Sequence, residues 1–62
     1  MILPLKVPTY VSALAEAQEA SVNHKKETVY LYRVSEGYLI DTKEHSDNKL
    51  IIKLKNGERL EK

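Results

Sequence analysis

The segment ETVYLYRVSEGYLIDTK, residues 27–43, decides the fold because it contains two runs of aromatic and branched side chains around a turn. The runs are Glu27–Val34 and Tyr38–Lys43, and residues of this kind in alternation with polar ones are typical of β-strands. Ser35-Glu36-Gly37 between them has the composition of a three-residue hairpin loop with its glycine in a left-handed conformation. The segment therefore predicts an antiparallel hairpin.

Two more strands are predicted further along the chain. Lys49–Leu54 alternates in the same way, and Glu58–Glu61 is a short fourth strand. Residues 44–48 form a polar five-residue loop before the third strand, and Lys55-Asn56-Gly57 forms a second three-residue hairpin loop. Strands joined in succession by short loops predict an antiparallel meander over residues 27–62.

The registers of these loops place one set of side chains on a single sheet face, and we expect a helix to cover that face. A two-residue Asn56-Gly57 loop would set Leu60 opposite Lys53 and mix apolar with charged positions, so the three-residue loop is preferred. The face predicted to lie under the helix consists of Tyr30, Tyr32, Val34, Tyr38, Ile40, Leu50, Ile52, Leu54 and Leu60.

The helix is predicted over residues 9–24. Thr9 is a suitable N-cap, four alanines raise the helix propensity, and residues 1–8 before it form an extended arm. The predicted fold class is thus α+β: one N-terminal helix packed on a three- to four-stranded antiparallel β-meander, in a single domain of residues 1–62. The helix positions expected to face the sheet are Tyr10, Val11, Leu14, Ala17, Gln18, Ser21 and Val22.

Length and composition limit the functions that this chain can have. With 62 residues, it buries only about 60% of the surface of its unfolded chain, so oligomerisation or partner docking is expected to stabilise it. The absence of cysteine excludes disulfides, iron–sulfur clusters and cysteine-ligated zinc, and no cofactor is expected. No apolar run approaches the length of a membrane span, and the N-terminal segment lacks the basic start of a signal peptide. A cytoplasmic protein is expected.

The opposite sheet face is predicted to hold a cluster of aliphatic side chains with nothing over them. Either the N-terminal arm or a second copy of the chain would cover it, and the same two candidates, or a strand of another protein, would pair with the long apolar edge Glu27–Val34. These features predict a protein-binding or regulatory module that acts as a homodimer, on another protein, or both. Its predicted binding residues are Val29, Leu31, Arg33, Leu39 and Ile51.

Catalytic and metal sites find no support in the sequence, and a non-enzymatic protein is expected. Glu44-His45-Ser46-Asp47 has the residue types of a hydrolytic triad, but neighbouring residues rarely converge on one atom, so we expect a polar loop. His24 and His45 are too few for a multi-histidine metal centre, and no glycine-rich phosphate loop is present. A histidine beside a carboxylate in a cleft is the feature that would indicate an enzyme.

Nucleic-acid binding is the alternative function. Basic residues are concentrated in the second half of the chain, although acidic residues alternate with them and the net charge is only +1. Glu16 and Glu19 make the exposed side of the helix acidic, which disfavours that helix as a reader of DNA. The candidate nucleic-acid contacts are Lys43, Lys49, Lys53, Lys55 and Arg59.

Overall fold

The structure is a computed structural model that describes residues 3–60, so positions 1–2 of the predicted arm and 61–62 of the predicted meander lie outside it. One helix packs against a five-stranded antiparallel sheet, which confirms the α+β class. The sheet has one strand more than the largest predicted number because the N-terminal arm supplies it. The elements are β1 (Leu5–Val7), α1 (Tyr10–Asn23), β2 (Val29–Val34), β3 (Gly37–Asp41), β4 (Lys49–Lys55) and β5 (Glu58–Leu60).

The helix, Tyr10–Asn23, lies within one residue of the predicted range 9–24 at each end, and residues 9 and 24 are its caps. Thr9 is extended, and its hydroxyl oxygen accepts a hydrogen bond from the backbone N–H of Ser12 at 3.4 Å, which satisfies a donor of the first turn. At the other end the backbone N–H of His24 donates to the Ala20 carbonyl at 2.9 Å.

The order of the strands is β1-β3-β2-β4-β5, so the sheet is not the predicted meander. β4 pairs with β2 rather than with β3, and β1 takes the free side of β3. Because both β3 and β4 are antiparallel to β2, they run parallel to each other. β2 is therefore an interior strand, and the predicted free edge at Glu27–Val34 is wrong.

Both predicted three-residue hairpin loops are wrong as well. Val34 pairs with Gly37, which leaves only Ser35-Glu36 between β2 and β3. Lys55 pairs with Glu58, and the Asn56-Gly57 loop has positive φ at both residues, 51° and 82°. Positive φ at both loop positions is the type I′ conformation, whose twist matches that of a hairpin and which Asn-Gly favours strongly. Leu60 consequently lies opposite Lys53, the arrangement that the sequence analysis rejected.

The change of register places the other face of β2 under the helix. Ile40 and Leu54 lie beneath α1 as predicted, but the β2 residues beside them are Val29 and Leu31 instead of Tyr30 and Tyr32. The side of α1 that meets the sheet is only partly the predicted one: Ala17 and Ser21 are buried as expected, but Val11 is 78% exposed. The fully buried helix residues are Ala13, Ala17, Ala20 and Ser21.

The alanines explain why the helix selects this face. Side chains with only a methyl group bring the helix backbone close to the sheet, and medium-sized aliphatic residues fill the remaining space without voids. Leu31 and Ile40 lie opposite each other in β2 and β3 and are both 0% exposed. A tyrosine in either place would be longer and would bury a hydroxyl among apolar groups.

The connection from β3 to β4, residues 42–48, crosses the sheet face opposite α1. β3 ends beside Tyr30 and β4 starts beside Arg33 on the other side of β2, so the chain must travel back along the strand while it passes over it. Two strand spacings and three residues of rise give a diagonal of about 14 Å. A connection of seven residues reaches at most about 25 Å when extended, so it is long enough to cross directly. We call residues 42–48 the crossover loop.

Candidate functional site

The sheet face opposite α1, which we call the outer face, carries the crossover loop and two rows of side chains. Residues directly opposite each other in neighbouring strands point to the same face, so the strand pairings define both rows. One row runs Lys6, Leu39, Tyr32, Leu50, and the other runs Asp41, Tyr30, Lys53, Leu60.

The crossover loop covers only one part of the outer face. Tyr32 beneath it is 2% exposed, whereas Leu50 and Leu60 are 38% and 40% exposed. Tyr30 is half-buried and stacks on Tyr32, with 6.0 Å between ring centroids and 24° between ring planes. The β4–β5 side of the outer face thus exposes apolar side chains, with Lys53 between Tyr30 and Leu60 in the row.

The Tyr32 hydroxyl fastens the crossover loop to the sheet. It accepts a hydrogen bond from the backbone N–H of His45 at 2.8 Å and donates to the Lys43 carbonyl at 3.5 Å. The His45 ring packs edge-on against the Tyr32 ring, with 5.2 Å between centroids. Burial raises the pKa of Tyr32, and the hydrogen bond from His45 offsets only part of that rise.

Asp41 is the second attachment of the loop. Its Oδ2 lies 2.7 Å from Nε2 of the His45 ring, and its Oδ1 accepts from the backbone N–H of Thr42 at 2.7 Å. Burial raises the pKa of the Asp41 carboxyl, but hydrogen bonds from His45 and from the backbone of Thr42 and Lys43 outweigh it, and the pKa lies below its usual value. Asp41 is therefore ionised at neutral pH and accepts the proton of Nε2–H.

An open pocket of about 270 Å³ adjoins this network, between the crossover loop and the start of β4. A histidine beside a carboxylate, at a pocket, is the feature that would indicate an enzyme. Among residues 3–60, however, the only hydrogen bond of the His45 ring is the one to Asp41, so no hydroxyl group is held against it as a nucleophile. The pocket is lined by Tyr32, Glu44, His45, Ser46, Asn48 and Leu50.

Neither a metal site nor a second hollow in the surface is indicated as a functional site within residues 3–60. In the part of the chain that the structure describes, no group of three or more histidine, aspartate and glutamate side chains is arranged to hold a metal ion. A hollow of about 440 Å³ follows α1, where His24 Nδ1 lies 3.3 Å from Glu27 Oε1. It is lined only by the consecutive residues 23–27 and is the concave side of one turn rather than a cleft between elements.

The five predicted protein-binding residues do not share an uncovered surface. Val29 and Leu31 are 0% exposed under α1, so their predicted place on a bare face is wrong. Ile51 packs against the same buried cluster, and Leu39 is 7% exposed on the outer face. Arg33 is exposed, and its guanidinium carbon lies 5.6 Å from the centroid of the Tyr38 ring. The register error accounts for Val29, Leu31 and Arg33, whereas Leu39 keeps its predicted face.

The five candidate nucleic-acid contacts are also divided between surfaces. Lys53 and Lys55 belong to the outer face, whereas Arg59 lies opposite Leu54 on the face that α1 covers. Lys49 is paired with Arg33, and Lys43 lies in the crossover loop. The strands therefore do not gather these side chains into one basic groove.

Sequence reasoning missed Asp41 as a partner of His45 and Tyr30 as part of an exposed surface. The spacing from Asp41 to His45 is four residues, and an aspartate that ends a strand and accepts backbone N–H groups of the following turn is a known turn initiator. That pattern was available in the sequence. The place of Tyr30 on the outer face could be recognised only once the register was known.

No protein-family model, no curated protein and no solved structure matches this chain. Among residues 3–60, the single helix is too short and too polar to cross a membrane.

Proposed function

We propose that this chain is a small, non-enzymatic protein-binding module of the cytoplasm that self-associates through the β4–β5 side of its outer face. The observation that carries the proposal is that Leu50 and Leu60 are 38% and 40% exposed on the outer face, while the opposite face of the sheet packs against α1. Apolar side chains grouped on one face favour burial against another surface. The small core of a short chain gives self-association a stabilising role.

The charges on the β4–β5 side of the outer face favour a second copy of this chain as its binding partner. Lys55 and Glu58 lie directly opposite each other, and Lys53 is two residues from Lys55 on the same side of β4. In a two-fold symmetric contact the same patch meets itself, so a patch with both signs of charge can pair each cation with an anion of the other copy.

The sheet edges give the proposal less support than the face. β1 is three residues long with Pro4 and Pro8 on either side, and β5 is three residues long and contains Glu58 and Arg59. Short, charged or proline-flanked edges resist the addition of a further strand. We therefore place the contact on side chains of the outer face and not on an edge.

A substitution pair tests the proposal. Sedimentation equilibrium of the wild type is expected to show dimers, and Leu60→Glu is expected to weaken their association at least about tenfold because it buries a charge at the contact. Val11→Glu is the matched control, since Val11 is 78% exposed on α1, away from the outer face. Circular dichroism verifies that both variants fold.

Three results would overturn the proposal. A wild type that stays monomeric at about 1 mM would exclude self-association as a stable state. An equal effect of Leu60→Glu and Val11→Glu would place the contact elsewhere. Salt-sensitive binding of a monomer to single-stranded oligonucleotides, lost in Lys53→Ala, would favour the nucleic-acid alternative.

A further inference from the structure

The pocket beside the crossover loop has the charge and hydrogen-bonding character of a cation site. Its lining residues include the acidic Glu44 and the polar Ser46 and Asn48. None of its lining residues is lysine or arginine, in a chain that contains 10 of them. Glu44 is exposed, so its charge is available to a ligand. An anionic ligand would be repelled here, and a purely apolar one would desolvate the carboxylate without replacing its hydrogen bonds.

His45 adds an acceptor to the pocket. When the His45 ring is neutral, its contact with the ionised Asp41 carboxylate places the proton on Nε2 and leaves Nδ1 as an acceptor. Among residues 3–60, Nδ1 makes no hydrogen bond. The Asp41 side chain, 8% exposed, also contributes negative charge behind the ring. Both features favour a ligand that is positively charged and rich in N–H donors.

The remaining walls favour arginine over lysine. Leu50, which is 38% exposed, gives the pocket an aliphatic wall beside the buried Tyr32, and such a wall suits the stem and the planar head of an arginine. A guanidinium group has five N–H donors in one plane, so it can reach a carboxylate and a second acceptor together. An ammonium group is a compact, strongly hydrated charge and gains less from such walls.

We propose that this pocket binds the guanidinium group of an arginine side chain presented by another protein, with Glu44 as its ion-pair partner and His45 as a second acceptor. The proposal does not depend on self-association through the β4–β5 side of the outer face. Leu50 lines the pocket and also belongs to that contact, so the two sites adjoin, but their decisive residues differ: Glu44 for the pocket and Leu60 for self-association.

Nuclear magnetic resonance titration with two tripeptides tests the proposal. The probes are acetyl-Gly-Arg-Gly-amide and acetyl-Gly-citrulline-Gly-amide, which differ by the charge of one side chain, at constant ionic strength. We expect saturable shifts of the amide signals of His45, Ser46 and Asn48 with the arginine peptide, and binding at least about fivefold weaker with the citrulline peptide.

Two variants of the crossover loop locate the site. Glu44→Gln is expected to weaken binding of the arginine peptide about fivefold, since it removes the charge and keeps the shape. Asp47→Asn is the control, because Asp47 is an exposed carboxylate of the same loop that does not line the pocket. Neither side chain is buried, so both variants are expected to fold.

The proposal is overturned by equal binding of the two peptides, by equal effects of the two variants, or by the absence of saturable shifts up to about 20 mM peptide. These results are independent of the sedimentation measurements on Leu60→Glu, which report self-association alone. A dimer without an arginine site and an arginine site on a monomer are therefore distinct outcomes.

Discussion

The Nε2 atom of His45 lies 2.7 Å from Oδ2 of Asp41, and this contact ties the crossover loop to the last residue of β3. Together with the Tyr32 hydroxyl, it holds the chain across the outer face at the point where a hairpin would instead turn back beside β3. The free side of β3 is then open to β1. The polar contacts that hold the crossover loop thus go together with a strand order that differs from the order along the chain.

The Asp41 carboxylate is expected to make stability sensitive to acid. Its pKa is lowered in the folded protein, so the folded state binds fewer protons than the unfolded chain as acid is added. Its contribution is complete above the unfolded pKa of about 3.9 and is lost as the pH falls through the lower folded value. Urea unfolding between neutral pH and pH 3 measures this loss.

Asp41→Asn is expected to lower the free energy of unfolding at neutral pH by about 1–3 kcal/mol, because a buried charge-assisted hydrogen bond is removed. The variant should also lose the part of the acid sensitivity that comes from this group. Asp47→Asn, at an exposed position in the same loop, serves as the control. An Asp41→Asn variant whose stability falls with acid as steeply as that of the wild type would contradict the assignment.

Tyr32→Phe is expected to loosen the crossover loop while the sheet stays folded. The substitution removes the hydroxyl that accepts from the His45 backbone and donates to the Lys43 carbonyl, and it keeps the ring. We expect a loss of about 1 kcal/mol in unfolding free energy and faster hydrogen exchange at the His45 amide. Tyr30→Phe is the matched control, since the Tyr30 hydroxyl makes no hydrogen bond within residues 3–60. Equal exchange rates in the two variants would contradict this role of Tyr32.

The helix and the existence of the strands could be predicted because their signals are local. Thr9 acts as the N-cap that its residue type indicates, and the alternation around Tyr30 identifies a strand without any knowledge of its neighbours. The two-residue Asn56-Gly57 turn was also predictable from its composition. The sequence argument against it, that Leu60 would lie opposite Lys53, describes the pairing that the sheet in fact has.

The order and facing of the strands could not be predicted because they depend on contacts between distant segments. Which face α1 covers depends on the fit between its alanines and the aliphatic side chains of Val29 and Leu31. The candidate site depends on a loop that crosses β2, and a pattern of alternation does not distinguish a hairpin from a crossover.

Leu31→Ala is expected to destabilise the fold strongly rather than affect association alone. Leu31 is 0% exposed and belongs to the cluster beneath α1, so its truncation removes buried methyl groups and leaves a cavity. The expected cost is about 2–5 kcal/mol, measured by thermal or urea unfolding. Leu60→Ala, at a position that is 40% exposed, should cost less than about 1 kcal/mol. Similar losses for the two variants would mean that the helix covers the other face.

Gly37→Ala is expected to release β1 from the sheet, because a Cβ there would lie 2.5 Å from the Val7 carbonyl oxygen and 3.1 Å from Pro8 Cα. The positive φ of 140° adds backbone strain, and the combined cost is expected to be about 2–3 kcal/mol. Gly57→Ala separates the two effects, since its φ is also positive but its Cβ would meet only the Val22 side chain, at 3.1 Å. Hydrogen exchange at Leu5 and Val7 should accelerate in Gly37→Ala beyond its rate in Gly57→Ala. Equal rates at equal stability would show that β1 does not depend on the close approach at Gly37.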